Sequence, residues 1–188
     1  ELEGCEISYV AADYAAATAE LIERMVNVGH LRIAYVGAEQ FTESLLDRRR
    51  GYRDGLAASG CAVDDSLLCL CPGQRMVAPQ LQTLLDQGVT AVVTESGPIA
   101  YSLLQACNEL MLDIPGDLSV GLMGDPFGDM ENVGHLSGFS IPREEMGAQA
   151  VHLLTRLLNT KTPATSQQAS LPCKPVAGST IAPPRTRP

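Results

Sequence analysis

Short apolar runs alternate along this chain with longer stretches in which apolar residues recur every three or four positions. Residues 7–10, 33–36, 67–70, 89–94 and 118–122 are the runs, and they read as strands. The run at 89–94 is rich in β-branched residues, as buried strands are. Between them the helical period takes over. Asp13 is placed to cap a helix whose Ala17, Leu21, Met25 and Val28 share a face, and Gly29 is placed to end it. Residues 44–59 form a second helix closed by Gly60, residues 77–85 a third, and residues 98–111 a fourth with Pro98 near its first turn. Strand and helix alternating in this way predict an α/β fold built on a doubly wound, mainly parallel sheet. Ligands of such sheets bind beyond the carboxyl ends of the strands, where the strand order reverses.

The pattern changes after Asp125. Residues 126–134 read as irregular and residues 136–141 as extended. Residues 144–158 predict an amphipathic helix with Met146, Ala150, Val151, Leu154 and Leu157 on its apolar face. Residues 160–169 read as a polar loop, 171–181 as a last extended piece, and 183–188 as a Pro-rich mobile tail. No internal repeat is present.

Composition narrows the function classes. The 188 residues suffice for one good core or slightly more. Trp is absent and aromatics are 4%, so aliphatic side chains must fill that core. The net charge is −9, and Arg48-Arg49-Arg50 is the only dense basic run, which argues against direct binding of nucleic acid by this chain. No apolar run is long enough to span a bilayer. The acidic start, Glu1-Leu2-Glu3-Gly4, is unlike a signal peptide and has no initiator Met, which suggests a processed or cut fragment. Six cysteines are scattered, and most sit in apolar runs as small hydrophobes. Cys69-Leu70-Cys71 is the one close pair. In a strand both thiols share a face, open to packing, redox or metal roles.

Four stretches, in order, resemble the lac-repressor family of transcription regulators. They are Asp13 through Gly29-His30-Leu31-Arg32-Ile33-Ala34-Tyr35-Val36-Gly37; Ser44 through Asp47-Arg48-Arg49-Arg50-Gly51-Tyr52-Arg53-Asp54-Gly55-Leu56; Ile114-Pro115-Gly116-Asp117-Leu118-Ser119-Val120; and Ile141-Pro142-Arg143-Glu144-Glu145-Met146-Gly147 with Ala150-Val151. The Gly178-Ser179-Thr180 ending is also similar. The resemblance implies a two-lobed, periplasmic-binding-protein-like sensor with a small molecule in the cleft and three strands crossing between lobes. It also implies a cytoplasmic homodimeric regulator whose DNA-binding domain is not in this chain. On that template residues 1–30 are a first-lobe remnant, 31–138 the second-lobe core, 139–170 a crossover plus a first-lobe helix, and 171–182 the last crossover strand.

The same resemblance implies the site. Arg48, three residues before Gly51, falls where the family has its ligand-binding arginine, a fork of donors for hydroxyls, carboxylate or phosphate. Arg49 and Arg50 read as surface residues. Asp13 matches an acid at the cleft edge and is equally placed as a plain helix cap. His30 reads as a capping or packing residue. Two positions depart from the pattern. Ser96-Gly97 stands where the family has Asn-Asp, and Gly124-Asp125 where it has two acids. Arg48, Asp13, Ser96 and Asp125 are therefore the expected effector contacts. The lost acids leave Arg48 less neutralised, which predicts a sugar phosphate or small anion, or no effector, in place of a neutral sugar. Ile99, Leu103, Cys107 and Leu110 form a stripe expected at the dimer interface. No nucleophile elbow, phosphate-cradling glycine loop or zinc spacing occurs, so neither an enzyme nor a bound cofactor or metal is expected. The competing reading is a periplasmic-type solute-binding protein of the same fold.

Overall fold

A computed structural model describes residues 7–125, 135–159 and 166–185. It contains two sheets of unequal size. The larger is built from β2 (Ile33–Ala38), β3 (Leu68–Cys71), β4 (Ala91–Thr94), β5 (Ser119–Met123), β6 (Ser137–Ser140) and β8 (Lys174–Val176), in the order β3-β2-β4-β5-β6-β8. Its first five strands are parallel, and β8 closes the edge antiparallel to β6. Pro175 is tolerated in β8 because edge strands can spare an N–H. The order reverses between β2 and β4, as a doubly wound sheet requires.

The all-buried strands divide by the two-residue period into two cores. On one face Ala34, Val36, Val92, Val120 and Leu122 pack under α3 (Ala78–Asp86) and α4 (Gly97–Glu109), which contribute Leu81, Leu84, Leu85, Ile99, Leu103 and Cys107. On the other Ile33, Tyr35, Ala91, Val93 and Met123 pack under α1 (Tyr14–Asn27) and α2 (Glu43–Ala58), which contribute Leu21, Ile22, Met25, Tyr52 and Leu56. Each such side chain, buried on folding, is worth roughly 1.5–3 kcal/mol. The small sheet is a parallel pair, β1 (Tyr9–Asp13) with β7 (Gln168–Pro172). The last helix, α5 (Arg143–Asn159), packs on β1.

Three expectations change. The helix after Asp13 does not belong to a first-lobe remnant: its Leu21, Ile22 and Met25 are buried beneath the large sheet, so of the described residues 7–30 only β1 joins the small sheet. The expected single last strand is two, β7 in the small sheet and β8 in the large one, and β7 takes in Gln168 and Ala169 from the expected loop. The start of the expected mobile tail is held: Arg185 donates to Asp113 at 3.0 Å and to Asp117 at 2.8 Å. Residues 126–134, 160–165 and 186–188, which carry the remaining irregular, loop and tail expectations, lie outside the described residues.

Candidate functional site

The buried face of α2 carries Arg48, Arg49, Gly51, Tyr52, Gly55 and Leu56, and it brings Arg48 and Arg49 against the carboxyl ends of β5 and β2. Arg48 is 5% exposed. Its Nε donates to the Met123 carbonyl at the end of β5 at 2.8 Å, and its Nη1 to the Ser44 carbonyl at 2.8 Å. Its guanidinium carbon lies 4.0 Å from the centre of the Tyr14 ring, a cation–π stack. Gly124, at φ +149°, lies beside the guanidinium: a Cβ there would stand 3.6 Å from Arg48 Nη2, in ordinary van der Waals contact. Burial pulls the Arg48 pKa below the ordinary arginine value. No carboxylate forms an ion pair with Arg48 among the described residues.

Arg49 corrects the surface assignment. It is 5% exposed, and its Nε meets Glu95 Oε1 at 3.2 Å. Its Nη2 donates to the carbonyls of Ala38 at 2.5 Å and Gln40 at 3.2 Å. Glu95 is itself 3% exposed and accepts from the Ala38 N–H at 2.6 Å and from the Tyr35 hydroxyl. Burial and the Glu95 carboxylate push the Tyr35 pKa up, so Tyr35 stays a donor. This network fills the strand-order switch between β2 and β4. Sequence reasoning missed it, although a carboxylate directly after the apolar run of β4 was a visible signal.

Arg50 is on the surface as expected, its side chain 51% exposed and paired with Asp47 at 3.0 Å. Asp13 is a helix cap that also faces a cavity. Its Oδ1 accepts from the Ala16 N–H at 2.9 Å, capping α1, and it lines a cavity of about 400 Å³ with Tyr9, Tyr14, Glu43, Ser44 and Asp47. Arg48 is not in that wall but behind Tyr14. Asp125 is engaged structurally: it accepts from the Ile141 N–H at 3.2 Å and pairs with Arg143 at 3.2 Å, tying the end of β5 to the start of α5. Asp13, Arg48 and Asp125, with Arg143, all act electrostatically on Cys173, between β7 and β8. Burial pushes that thiol up to about 11. Three of the four expected contacts thus gather where the chain crosses between sheets. Ser96 stands apart from this group at the N-cap of α4, with a buried Oγ that finds no hydrogen-bond partner among the described residues.

The expected dimer stripe is internal. Ile99 and Leu103 are 0% exposed and Cys107 is 1% exposed, all packed under the sheet, with Leu110 half-buried against the same core. The helical period found the apolar face of α4, and its own sheet occupies that face.

The pattern of the periplasmic binding protein-like domain matches residues 22–181. The chain belongs to that family. GalR of Escherichia coli K12, a transcriptional regulator, is 33% identical to it over 126 residues, 63% of this chain and 36% of that protein. The solved complex of the transcriptional regulator CelR with cellobiose superimposes with a TM-score of 0.76 at 22% identity, over 93% of this chain and 54% of that one. A sugar-binding regulator of the lac-repressor family from Escherichia coli, in complex with phosphate, superimposes with a TM-score of 0.75 at 22% identity, over 93% and 63%. The chain spans less than half the length of the curated relatives it matches, from 36% to 48%. No helix among the described residues is long and apolar enough to cross a membrane.

Proposed function

We propose that this chain is the effector-binding region of a lac-repressor-family transcriptional regulator, a binding module and not an enzyme. The observation that carries this is the junction of the two sheets. There Asp13 lines a cavity of about 400 Å³ directly beside the Tyr14–Arg48 stack, in a chain whose curated relatives are regulators. That volume lies within the range of small-molecule sites.

The wall supplies acceptors for hydroxyl groups from Asp13, Glu43 and Asp47. Arg48 supplies a cation one aromatic ring away. The effector class that uses both is a hydroxylated anion such as a sugar phosphate, its hydroxyls toward Asp13 and its anion drawn to Arg48 once Tyr14 turns aside. Structural neighbours bound to cellobiose and to phosphate support the two halves of this reading. Ser96 adds a free hydroxyl at the carboxyl end of β4. In the intact regulator, effector binding shifts the DNA affinity of a separate domain, and two copies of the protein act as a cytoplasmic homodimer.

Calorimetric titration with glucose and with glucose 6-phosphate tests the effector class. Binding of the phosphate ester, weakened by at least about tenfold in Arg48→Ala, is expected, since each charge-assisted hydrogen bond contributes about 1.5–3 kcal/mol. A neutral hexose bound as tightly as its phosphate, or phosphate binding unaffected by the loss of Arg48, overturns it.

A further inference from the structure

One feature outside this junction carries a chemistry of its own. Strand β3 lies at an edge of the large sheet, paired among the described strands only with β2. The two-residue period puts Cys69 and Cys71 on the same side, and their Sγ atoms are 3.9 Å apart. The chain then turns through Pro72–Gln74, where Gly73 takes φ +62°, and comes back to place Met76 against the same strand. Met76 Sδ lies 3.8 Å from Cys71 Sγ. The return is pinned, since the Met76 N–H donates to Ser102 Oγ of α4 at 2.9 Å.

We propose that Cys69, Cys71 and Met76 form a three-sulfur site for a soft monovalent metal ion, Cu(I). The spacing suits this. With metal–thiolate bonds of about 2.3 Å, ligands disposed around one ion stand roughly 3.8–4.0 Å apart. The donor set selects the metal. Two thiols and a thioether favour Cu(I), whereas zinc calls for four ligands that include only thiolate, imidazole or carboxylate. Among the described residues no group of three or more His, Cys, Asp or Glu is placed to hold such an ion. Access and enclosure are both present: Cys69, on the edge strand, is only half-buried, while Cys71 and Met76 are 1% and 2% exposed. As the ion enters, two S–H bonds break, two metal–thiolate bonds form and both protons pass to solvent. Met76 contributes a lone pair, and no oxidation state changes.

Anaerobic titration of the reduced whole chain with Ag⁺, and with Cu(I) held by a chromophoric chelator, tests the site. One equivalent of each is expected to bind, with a new thiolate-to-metal absorption in the ultraviolet. Cys69→Ala, at a half-buried position the fold tolerates, is expected to weaken uptake by at least roughly 100-fold, and the volume-conserving Met76→Leu by about tenfold. Circular dichroism of both variants confirms that they fold. Cys61→Ser is expected to bind like the parent. Undiminished uptake in Cys69→Ala or Met76→Leu, or an equal loss in Cys61→Ser, overturns the assignment.

Discussion

Adjacent residues of one helix turn here carry different loads. Arg48 spends two donors on backbone carbonyls and has no carboxylate partner among the described residues, while Arg49 is committed to Glu95, with 6% and 1% of the latter two side chains exposed. Removing one member of such a pair strands the other charge in the interior. Glu95→Ala is therefore expected to cost about 3–5 kcal/mol in urea denaturation. The double variant Arg49→Leu with Glu95→Ala should lose much less than the sum of the two single changes, and strict additivity would mean that the pair is not coupled. His30 gives a pH dependence. Its Nε2 lies 2.9 Å from the Ala182 carbonyl, which can only accept, and in the neutral ring that burial favours Nδ1 accepts from the Thr90 hydroxyl at 2.8 Å. Burial lowers its pKa from the ordinary 6.5. The unfolded chain then takes up this proton at a higher pH than the folded chain. The His30 contribution is full above pH 6.5 and is lost as the pH falls through 6.5 toward the lower folded value. The urea midpoint of the parent should drop more than that of His30→Gln between about pH 7.5 and about pH 5, and parallel curves would show that His30 does not titrate with unfolding. At this scale the sequence was unevenly legible. Arg48 could be singled out because the glycine three positions on carried the resemblance, and its burial at the end of β5 fits that choice. Arg49 was not, because a charged residue beside an inward stripe gives no periodic sign of its buried partner.

The crossing of α1 over α2 shows what the motif glycines are for. A Cβ on Gly51 would stand 2.2 Å from the Ala15 carbonyl oxygen, and one on Gly55 2.9 Å from Ala19 Cα. The two helix backbones touch there, and that contact seats Leu21 and Ile22 beside Tyr52 and Leu56. Gly51→Ala must push the helices apart and is expected to destabilise by about 1–3 kcal/mol, read from the thermal midpoint. An unchanged midpoint would show that the crossing is slack. The five parallel strands of the large sheet and the described α-helices were legible as elements, because buried strands and one-sided helices write their periods into the chain. What each apolar stripe faces was not. The period of α1 is the same whether it packs on a small lobe or on the large sheet, and that of α4 the same whether it meets a partner or its own strands. β7 and β8 were harder still: their half-exposed residues and prolines show neither alternation nor an apolar run.

The molecule as a whole is unevenly covered. The large sheet has helices on both faces, whereas the small β1–β7 pair is covered by α5 on β1 and touched by the chain's first helix, α1, at β7. No residue of α5 is buried, and Val151, Leu154 and Leu158 are 64%, 57% and 77% exposed. Their 3–4–7 spacing makes one stripe along the helix, unlike the isolated apolar residues that any surface carries. Water against such a stripe is costly, and a second apolar surface relieves it without any specific chemistry. The isolated chain is accordingly expected to associate as its concentration rises and to bind an apolar fluorescent dye. Replacing the stripe by Val151→Lys, Leu154→Glu and Leu158→Lys should suppress both. It should move stability by no more than about 0.5 kcal/mol per site, because none of the three supports the core. Sedimentation over a range of concentrations reads the first effect and thermal unfolding the second. If the triple variant associated as strongly as the parent, the contact would lie elsewhere. If it unfolded several degrees earlier, α5 would be bearing weight that its exposure does not reveal.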